Sequence, residues 1–322
     1  MSATLAPERI LREMADIWVQ LGTHAEGEEN AGVLRSCSMT LVVIAQENED
    51  AMSLGETVAA LMPEHPARTI VIWPKMNEPL SAKVTAQCWM PFGQRRQICS
   101  EQIEITAPEG SLPDVASVIS PIAAPDLPLV VWCRSRRAFE DAGFRHLAEI
   151  AQKVVVDTST WPDPKGAIGQ LASMAARGVT LGDLAWTHLT RWREMLSQVF
   201  ENAQYAARLP QISQVRLRFP AANMETMARY MAAWLVNSLE SIGVGVELRL
   251  EPGAGDPAVE LSGAGFRVEL VRQDGRLITT VDGLSQCTSL SRATDYSLMR
   301  EELGIARRDE TFERALALAA RS

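Results

Sequence analysis

The sequence has few of the features that mark a secreted, membrane-spanning or metal-dependent protein. Its five cysteines (Cys37, Cys88, Cys99, Cys133 and Cys287) are odd in number and form no C-x-x-C pair. They suit a reducing cytoplasm better than a disulfide framework or a zinc site. No stretch reaches the roughly 18 uninterrupted apolar residues of a membrane helix. The first twelve residues lack the basic stretch and apolar core of a secretory signal. We therefore expect a cytoplasmic protein that does not bind a membrane.

Acidic residues outnumber basic residues. The chain has 31 Lys and Arg against 40 Asp and Glu, a net charge of -9. Because phosphate neutralisation needs clustered lysine and arginine, this balance argues against a nucleic-acid partner. At 322 residues, with 47% apolar and 22% charged residues, the chain is long and apolar enough for two ordinary domains.

The familiar catalytic motifs are also missing. The sequence contains no Walker-type phosphate loop, no G-x-S-x-G turn and no H-E-x-x-H spacing among its four histidines. Residues 253–258 match the spelling G-x-G-x-x-A, but Pro257 interrupts them and strand-like residues follow, so they predict a hairpin loop. We therefore expect no cofactor and no metal, although a catalytic site assembled from distant residues stays open.

Two cysteines flank a predicted turn at residues 91–94. Cys88 and Cys99 could be neighbours across a hairpin. Two buried thiols are one interpretation, because cysteine is commonly buried. A redox pair is the other.

The N-terminal half alternates between helix-like and strand-like segments. Helical spacing covers residues 7–21, with Gly22 as a candidate cap, and residues 54–62 and 139–152. Short apolar runs predict buried strands at 39–44, 69–73, 127–133 and 153–156, and alternation predicts a hairpin at 84–89 and 98–105. The fold class is α/β, beginning with an N-terminal Rossmann-like mixed sheet and flanking helices over residues 1–170.

The C-terminal half, residues 171–322, predicts a second α/β domain that begins with one long helix, residues 183–209. Asp183 is placed to cap that helix. Strands at 214–219, 244–250, 266–272 and 277–281, a helix at 224–242 and two terminal helices at 297–306 and 310–320 follow. One helix between strands and then a run of hairpins predicts a largely antiparallel sheet.

Two clusters of arginine and tryptophan are candidate binding sites. Arg134, Arg136 and Arg137 follow directly on an apolar strand, where they could hold a phosphate or another anion, or form ordinary surface ion pairs. Trp186 lies at the edge of the apolar stripe of the long helix, near Arg193. Trp and Arg are enriched at interface hot spots, but an edge-of-core tryptophan stacked by arginine fits equally.

Residues 183–194, with the sequence DLAWTHLTRWRE, resemble the L-x-W-x-R-L-x-x-W-R pattern of the OpcA family, the glucose-6-phosphate dehydrogenase assembly proteins of bacteria. The resemblance runs from about residue 38 to residue 320. Further segments agree in order: residues 65–68 (HPAR), 101–103 (EQI), 126–132, 156–161, 298–303 and 308–312. His188 stands where that pattern has arginine and Arg191 where proline is common, which implies a contact with the dehydrogenase that is either weaker or tuned to a particular partner.

The resemblance implies a non-catalytic allosteric activator or assembly factor that binds glucose-6-phosphate dehydrogenase. It also implies that the partner contacts involve Trp186, Arg193, Trp192, His65 and Arg68.

Two other functions stay open. One is an enzyme that binds a sugar phosphate or nucleotide on the Rossmann-like sheet, with Arg134, Arg136 and Arg137 on the phosphate. The other is a scaffold that binds the dehydrogenase without changing its kinetics.

Overall fold

The computed structural model describes residues 5–25, 33–75, 78–91, 97–108, 110–220, 224–305 and 307–321. The chain divides into two compact units. Unit 1 comprises residues 1–156 and 179–181, and unit 2 comprises residues 157–178 and 182–322. The predicted domain boundary at residue 170 falls inside unit 2, so the two-domain division drawn from the sequence stays a prediction.

Helices and strands alternate in unit 1. The helices are α1 (Pro7–Ala25), α2 (Ala51–Leu61), α3 (Leu112–Ile122), α4 (Arg136–Glu140) and α5 (Phe144–Ile150). The strands are β1 (Val33–Arg35), β2 (Met39–Ile44), β3 (Ala67–Pro74), β4 (Ser81–Trp89), β5 (Gln97–Ala107), β6 (Leu129–Cys133) and β7 (Lys153–Val156). The last strand of the sheet, β8 (Leu181–Asp183), begins in unit 1 and ends in unit 2.

These strands form one sheet in the order β1-β5-β3-β2-β6-β7-β8, with β4 antiparallel to β5. The pairs of β2 with β3 and β6, of β3 with β5, and of β6 with β7 are parallel. Strands β2, β3 and β6 are buried on both faces, which explains their continuous apolar sequences. Because β3 and β6 lie on opposite sides of β2, the sheet is doubly wound, and the predicted Rossmann-like α/β class is confirmed.

The helices of unit 1 differ from the prediction at three places. α1 continues through Gly22 to Ala25, so the predicted cap was wrong. The helix α3 was not predicted at all. The single helix expected at 139–152 is two helices, α4 and α5, separated near Gly143, whose backbone lies against Pro113: a Cβ on Gly143 would come within 2.6 Å of the Pro113 nitrogen.

The predicted hairpin of unit 1 is β4 and β5, and Cys88 pairs directly with Cys99. The two form a disulfide, so the interpretation as two buried thiols was wrong. Direct cross-strand pairing brings the two side chains to the same face of the sheet, which sequence spacing alone does not establish. The expected turn at 91–94 lies mostly outside the described residues.

Unit 2 begins with helices and continues into a sheet. Its helices are α6 (Pro164–Ala176), α7 (Leu184–Thr187), α8 (Thr190–Glu201), α9 (Ala203–Ala206), α10 (Glu225–Glu240), α11 (Asp295–Gly304) and α12 (Glu310–Ala319). Its strands are β9 (Gln214–Phe219), β10 (Glu247–Pro252), β11 (Ala258–Gly263), β12 (Phe266–Gln273), β13 (Arg276–Val281) and β14 (Leu284–Ser289).

The sheet of unit 2 has the order β10-β9-β11-β12-β13-β14. β9 and β10 are parallel and joined through α10, whereas β11 to β14 run antiparallel to their neighbours. The predicted, largely antiparallel sheet is therefore confirmed. Residues 253–257 are a loop, as expected, but not a hairpin, because β10 and β11 lie on opposite sides of β9.

The long helix expected at 183–209 is three helices, α7, α8 and α9. The first break lies at His188 and Leu189. The second lies at Asn202, which leaves the helical conformation and caps α9 by accepting from Gln204 N–H. The apolar positions of the predicted helix therefore lie on three helices separated by two bends, and each of these helices packs separately. Within the described residues, no helix is long and apolar enough to cross a bilayer.

Candidate functional site

The start of α7 is fixed by a buried carboxylate. Asp183 is 0% exposed. One of its oxygens accepts from the N–H groups of Ala185 (3.0 Å) and Thr158 (3.1 Å), and the other from the hydroxyls of Thr158 (2.5 Å) and Tyr230 (2.8 Å). Burial and, to a smaller extent, the charge of Asp157 raise the pKa of Asp183 to about 7, against the opposing effect of the hydrogen bonds. The predicted cap is confirmed, with more partners than a surface cap has.

Trp186 lies one turn further on and is 3% exposed. Its indole N–H donates to Asp309 Oδ2 at 3.0 Å. Its ring contacts Tyr230 edge-on and Phe312 at a tilt, with ring centroids 6.3 and 5.7 Å away. The Arg193 guanidinium lies 3.5 Å from the ring centroid, a close cation–π contact. Of the two interpretations offered by the sequence, the structure shows the tryptophan stacked by arginine at the edge of the core.

Arg193 lies over this tryptophan and is half-buried. It donates to the Trp186 carbonyl (2.8 Å) and to Thr190 Oγ1 (3.0 Å), and Thr190 in turn donates to Glu301 (2.6 Å). Burial lowers the pKa of Arg193 to about 10, and the negative charges of Asp309 and Glu301 oppose that shift. Arg193 therefore stays charged at neutral pH and is held in one orientation.

The carboxylates that accept hydrogen bonds from Trp186 and Thr190 belong to α11 and to the N-cap of α12. Asp309 caps α12 by accepting from the N–H groups of Thr311 and Phe312. Buried Glu302 accepts from Thr187 at 2.8 Å and lies so close to Gly182 that a Cβ there would come within 2.1 Å of its Oε1. We call Trp186, Thr190, Arg193, Glu301 and Asp309 the tryptophan–arginine cluster. It joins the sequence segments 183–194 and 298–312.

Sequence reasoning missed the partners of Trp186. Asp309 is 123 residues away along the chain and Tyr230 is 44 away, so no spacing rule relates them. The sequence resemblance did include residues 308–312, but it did not place them against the tryptophan.

The remaining predicted contact residues lie elsewhere. Trp192 is buried on the opposite side of α8, where it lines a cavity of unit 2. His65 and Arg68 belong to unit 1. His65 is half-buried, whereas Arg68 is 5% exposed and donates to Glu101 (3.2 Å) and to the Ile122 carbonyl (2.8 Å). Because Arg68 is buried and held in this internal ion pair, little of its side chain is accessible to a partner protein.

The predicted anion site lies at the carboxyl end of β6. Each of its three arginines pairs with a glutamate, and these pairs are Arg134 with Glu49 (2.7 Å), Arg136 with Glu140 (2.8 Å) and Arg137 with Glu47 (2.9 Å). Arg134 also lies over the Trp132 ring, 4.5 Å from its centroid. The structure thus shows the surface ion pairs that the sequence left open, and the positive charge is largely neutralised.

The crevice beside this site is where a doubly wound sheet binds a dinucleotide. A cavity of about 440 Å³ opens there, at the ends of β2, β3 and β5. The turn after β2, residues 45–50, has no glycine and carries Glu47, Glu49 and Asp50. The Asp50 carboxylate accepts from Met52 N–H and Ser53 N–H at the start of α2, the position that a pyrophosphate takes in such folds. The residues present therefore do not fit a dinucleotide.

A metal centre has no support in the described part of the chain, where no group of three or more His, Cys, Asp or Glu side chains could hold an ion. Cys133 is buried beside the crevice and burial raises its pKa strongly, so its thiol is a poor nucleophile.

Comparison with known proteins decides the family. Residues 58–173 match the model described as the glucose-6-phosphate dehydrogenase subunit N-terminal domain, and residues 179–316 match the corresponding C-terminal domain. This chain belongs to the OpcA family. The C-terminal match contains all residues of the tryptophan–arginine cluster.

Among the relatives of this OpcA-family chain are cyanobacterial proteins named "Putative OxPP cycle protein OpcA". The one from Synechocystis is 23% identical over 223 residues, and the one from Nostoc punctiforme is 24% identical over 200 residues. These alignments cover 68% and 61% of this chain but only 46% and 42% of the relatives. The chain therefore aligns with less than half the length of either protein.

The solved structures that this chain resembles are distant in sequence. The 3-ketoreductase KijD10 from Actinomadura kijaniata is 13% identical with a TM-score of 0.46, over 90% of this chain and 96% of that one. Biliverdin reductase from Synechocystis is 10% identical with a TM-score of 0.45, over 88% and 97%. Similarity this distant does not extend to activity.

Proposed function

We propose that this OpcA-family protein is a non-catalytic, cytoplasmic partner of glucose-6-phosphate dehydrogenase that activates or assembles that enzyme in the oxidative pentose phosphate pathway. The observation that carries the proposal is the tryptophan–arginine cluster, in which a rigidly held, partly exposed Arg193 lies in the segment that matches the family. The acidic turn after β2 supports the non-catalytic part, because it opposes binding of a phosphorylated cofactor at the crevice of unit 1.

Arg193 is the residue we assign to contact with the dehydrogenase. Its guanidinium is oriented by Trp186 and Thr190 before any partner arrives, so little side-chain entropy is lost on binding. An arginine of this kind can pair bidentately with a carboxylate of a partner. Trp186, being buried, acts by positioning Arg193.

The remaining predicted contacts have different roles in this proposal. Half-buried His65 is the second contact position, whereas buried Arg68 and Trp192 support the fold around the contacts.

Activation requires that the protein bind one state of the dehydrogenase more tightly than the other. A difference of about 1–3 kcal/mol between those affinities changes the balance of states by roughly 5–150-fold. Docking alone therefore supplies enough free energy for regulation, without any reactive group in this chain.

The test mixes the protein with the dehydrogenase of its own organism and measures the mass of the complex and the enzyme's kinetics. Arg193→Met keeps the aliphatic cover on Trp186 but removes the charge, and we expect it to weaken association by roughly tenfold or more. The matched control is Arg249→Met, which removes an exposed, ion-paired arginine from β10.

Both variants are first checked for unchanged thermal unfolding. Absence of any complex with the parent protein contradicts the proposed function. Equal association by Arg193→Met and the parent contradicts only the assignment of the contact.

A sugar-phosphate or nucleotide enzyme at the crevice of unit 1 has weaker support. Arg134, Arg136 and Arg137 would have to exchange their glutamate partners for a phosphate. A third function, a scaffold without kinetic effect, would appear in the same experiment as a complex with unchanged turnover.

A further inference from the structure

Unit 2 contains a cavity of about 400 Å³ that the proposed function does not use. It opens at the carboxyl end of β9, beside the first turns of α10, and is bounded by α8 and by the segment that follows β14. We call it the unit 2 cavity. Its volume lies in the range of roughly 300–1,000 Å³ that small-molecule sites occupy.

One wall of the unit 2 cavity is apolar and adaptable. Met224, Met227 and Met231 line it from successive turns of α10, and Trp192 lines it from α8. Methionine side chains are flexible and polarisable, and they make favourable contacts with flat ring systems. A planar apolar group can therefore pack between this wall and the tryptophan.

The opposite wall is cationic. Arg218 from β9, Arg272 from β12 and Arg292 from the segment after β14 all line the cavity, and no Asp or Glu does so among the described residues. Within that same part of the chain, none of the three arginines forms an ion pair with a carboxylate. The strand pairing places Arg218 on the face of the sheet that carries Val271, whereas Arg272 lies on the other face, with Leu217 and Leu270. Arg218 therefore borders the cavity only at its strand, and Arg272 and Arg292 supply its positive charge, in a protein whose net charge is -9.

Other arginines of the same sheet behave differently. Arg216 pairs with Glu251 and Arg267 pairs with Glu260, at 3.2 and 2.9 Å. The sheet thus carries both arginines that pair with a glutamate and arginines that line the cavity. The absence of carboxylate partners is therefore specific to the arginines at the cavity.

The floor of the unit 2 cavity adds neutral hydrogen-bonding groups. His188 and Ser159 line it. Burial and the charge of Arg272 lower the pKa of His188, against the opposing effects of Asp157 and Asp295, neither of which lines the cavity. A neutral imidazole offers one donor and one acceptor.

We propose that the unit 2 cavity binds a small organic phosphate with a flat apolar body. Two guanidinium groups exceed the single one that pairs bidentately with a carboxylate, whereas a phosphate monoester carries nearly two negative charges and three acceptor oxygens. The apolar wall then accounts for the rest of the ligand. This inference does not depend on the proposed partner, because it rests on the lining of the cavity alone.

The probe is 1-naphthyl phosphate, titrated calorimetrically into the full chain, with 1-naphthol and inorganic phosphate as the two half-ligands. We expect saturable one-to-one binding of the probe and at least about tenfold weaker binding of each half-ligand, since each lacks one set of contacts. No saturable binding of the probe at millimolar concentration overturns the proposal.

Variants locate the site. Arg272→Met and Arg292→Met keep the aliphatic stems and should each weaken probe binding about tenfold or more, because each removes a charge-assisted hydrogen bond. The control Arg249→Met removes an arginine from the same sheet outside the cavity and should bind as the parent does.

Trp192→Phe reports the apolar side of the cavity. In the parent, the probe should quench part of the tryptophan fluorescence, and this fraction should be lost in the variant. Equal affinities of the parent, Arg272→Met and Arg292→Met, at unchanged thermal stability, also overturn the proposal.

Discussion

Asp183 is the residue on which the hydrogen bonds beneath the tryptophan–arginine cluster converge. Two backbone N–H groups and two hydroxyls all donate to its carboxylate, from segments that are distant in the sequence. The pKa of Asp183 rises to about 7. The free-energy cost of removing water from the charged carboxylate is therefore larger than the stabilisation of that charge by the hydrogen bonds. The geometry of α7 thus depends on a group whose ionisation changes near neutrality.

The raised pKa of Asp183 predicts a pH-dependent stability. The unfolded value is 3.8 and the folded value about 7. The contribution of the protonated acid is therefore fully present below about pH 4 and is lost as pH rises to 7. Asp183→Asn keeps the neutral shape, so the stability of this variant relative to the parent should increase from pH 4.5 to 7.5. The upper limit is roughly 1.4 kcal/mol per pH unit.

Urea unfolding of parent and variant at pH 4.5, 6.0 and 7.5 measures this difference. Asp163→Asn, at the exposed N-cap of α6, is the matched control. A difference between Asp183→Asn and the parent that stays constant with pH would show that the side chain is ionised throughout.

At the scale of elements, breaks between helices determine where the side chains of the two candidate sites lie. One continuous helix over 183–209 would keep Trp186, His188 and Arg193 on a single cylinder. The bend at His188 and Leu189 instead lets α7 pack on α11 while α8 lines the unit 2 cavity. The sequence could not reveal this bend, because both pieces have good helical spacing.

Two glycines of unit 1, one at the start of a helix and one in a helix interior, predict opposite effects of substitution by alanine on stability. Gly143→Ala should destabilise unit 1, because the added Cβ would lie 2.6–2.9 Å from backbone and ring atoms of Leu112 and Pro113, which cannot move freely. Gly55→Ala, in the interior of α2 with nothing within 4 Å, should stabilise it by about 0.5–1 kcal/mol. Thermal unfolding of the two variants measures both signs, and unchanged or increased stability of Gly143→Ala would refute the contact with α3.

At the scale of the whole molecule, the sequence predicted the buried strands well and the long-range pairings poorly. The strands β2, β3 and β6 are continuous apolar runs, which few other structures accommodate. The disulfide of Cys88 with Cys99 remained one of two alternatives, because strand register decides it. The helix α3 and the contact of Trp186 with Asp309 had no local signal, since tertiary packing alone creates them.

The same limit applies to both candidate sites. The family resemblance identified Trp186 and Arg193, but only the structure shows that the tryptophan orients the arginine. The arginines of the unit 2 cavity come from three separate strands or segments, and nothing in their spacing relates Arg218 to Arg292.

The turn between β2 and α2 also restricts how this protein can change. Binding of a phosphate at the crevice of unit 1 would require the loss of Glu47, Glu49 and Asp50 together, because the negative charge of any one of them opposes the anion. Loss of Asp50 by itself removes the cap of α2 and costs about 0.5–2 kcal/mol. Each single substitution at these three positions therefore either leaves the turn acidic or weakens α2.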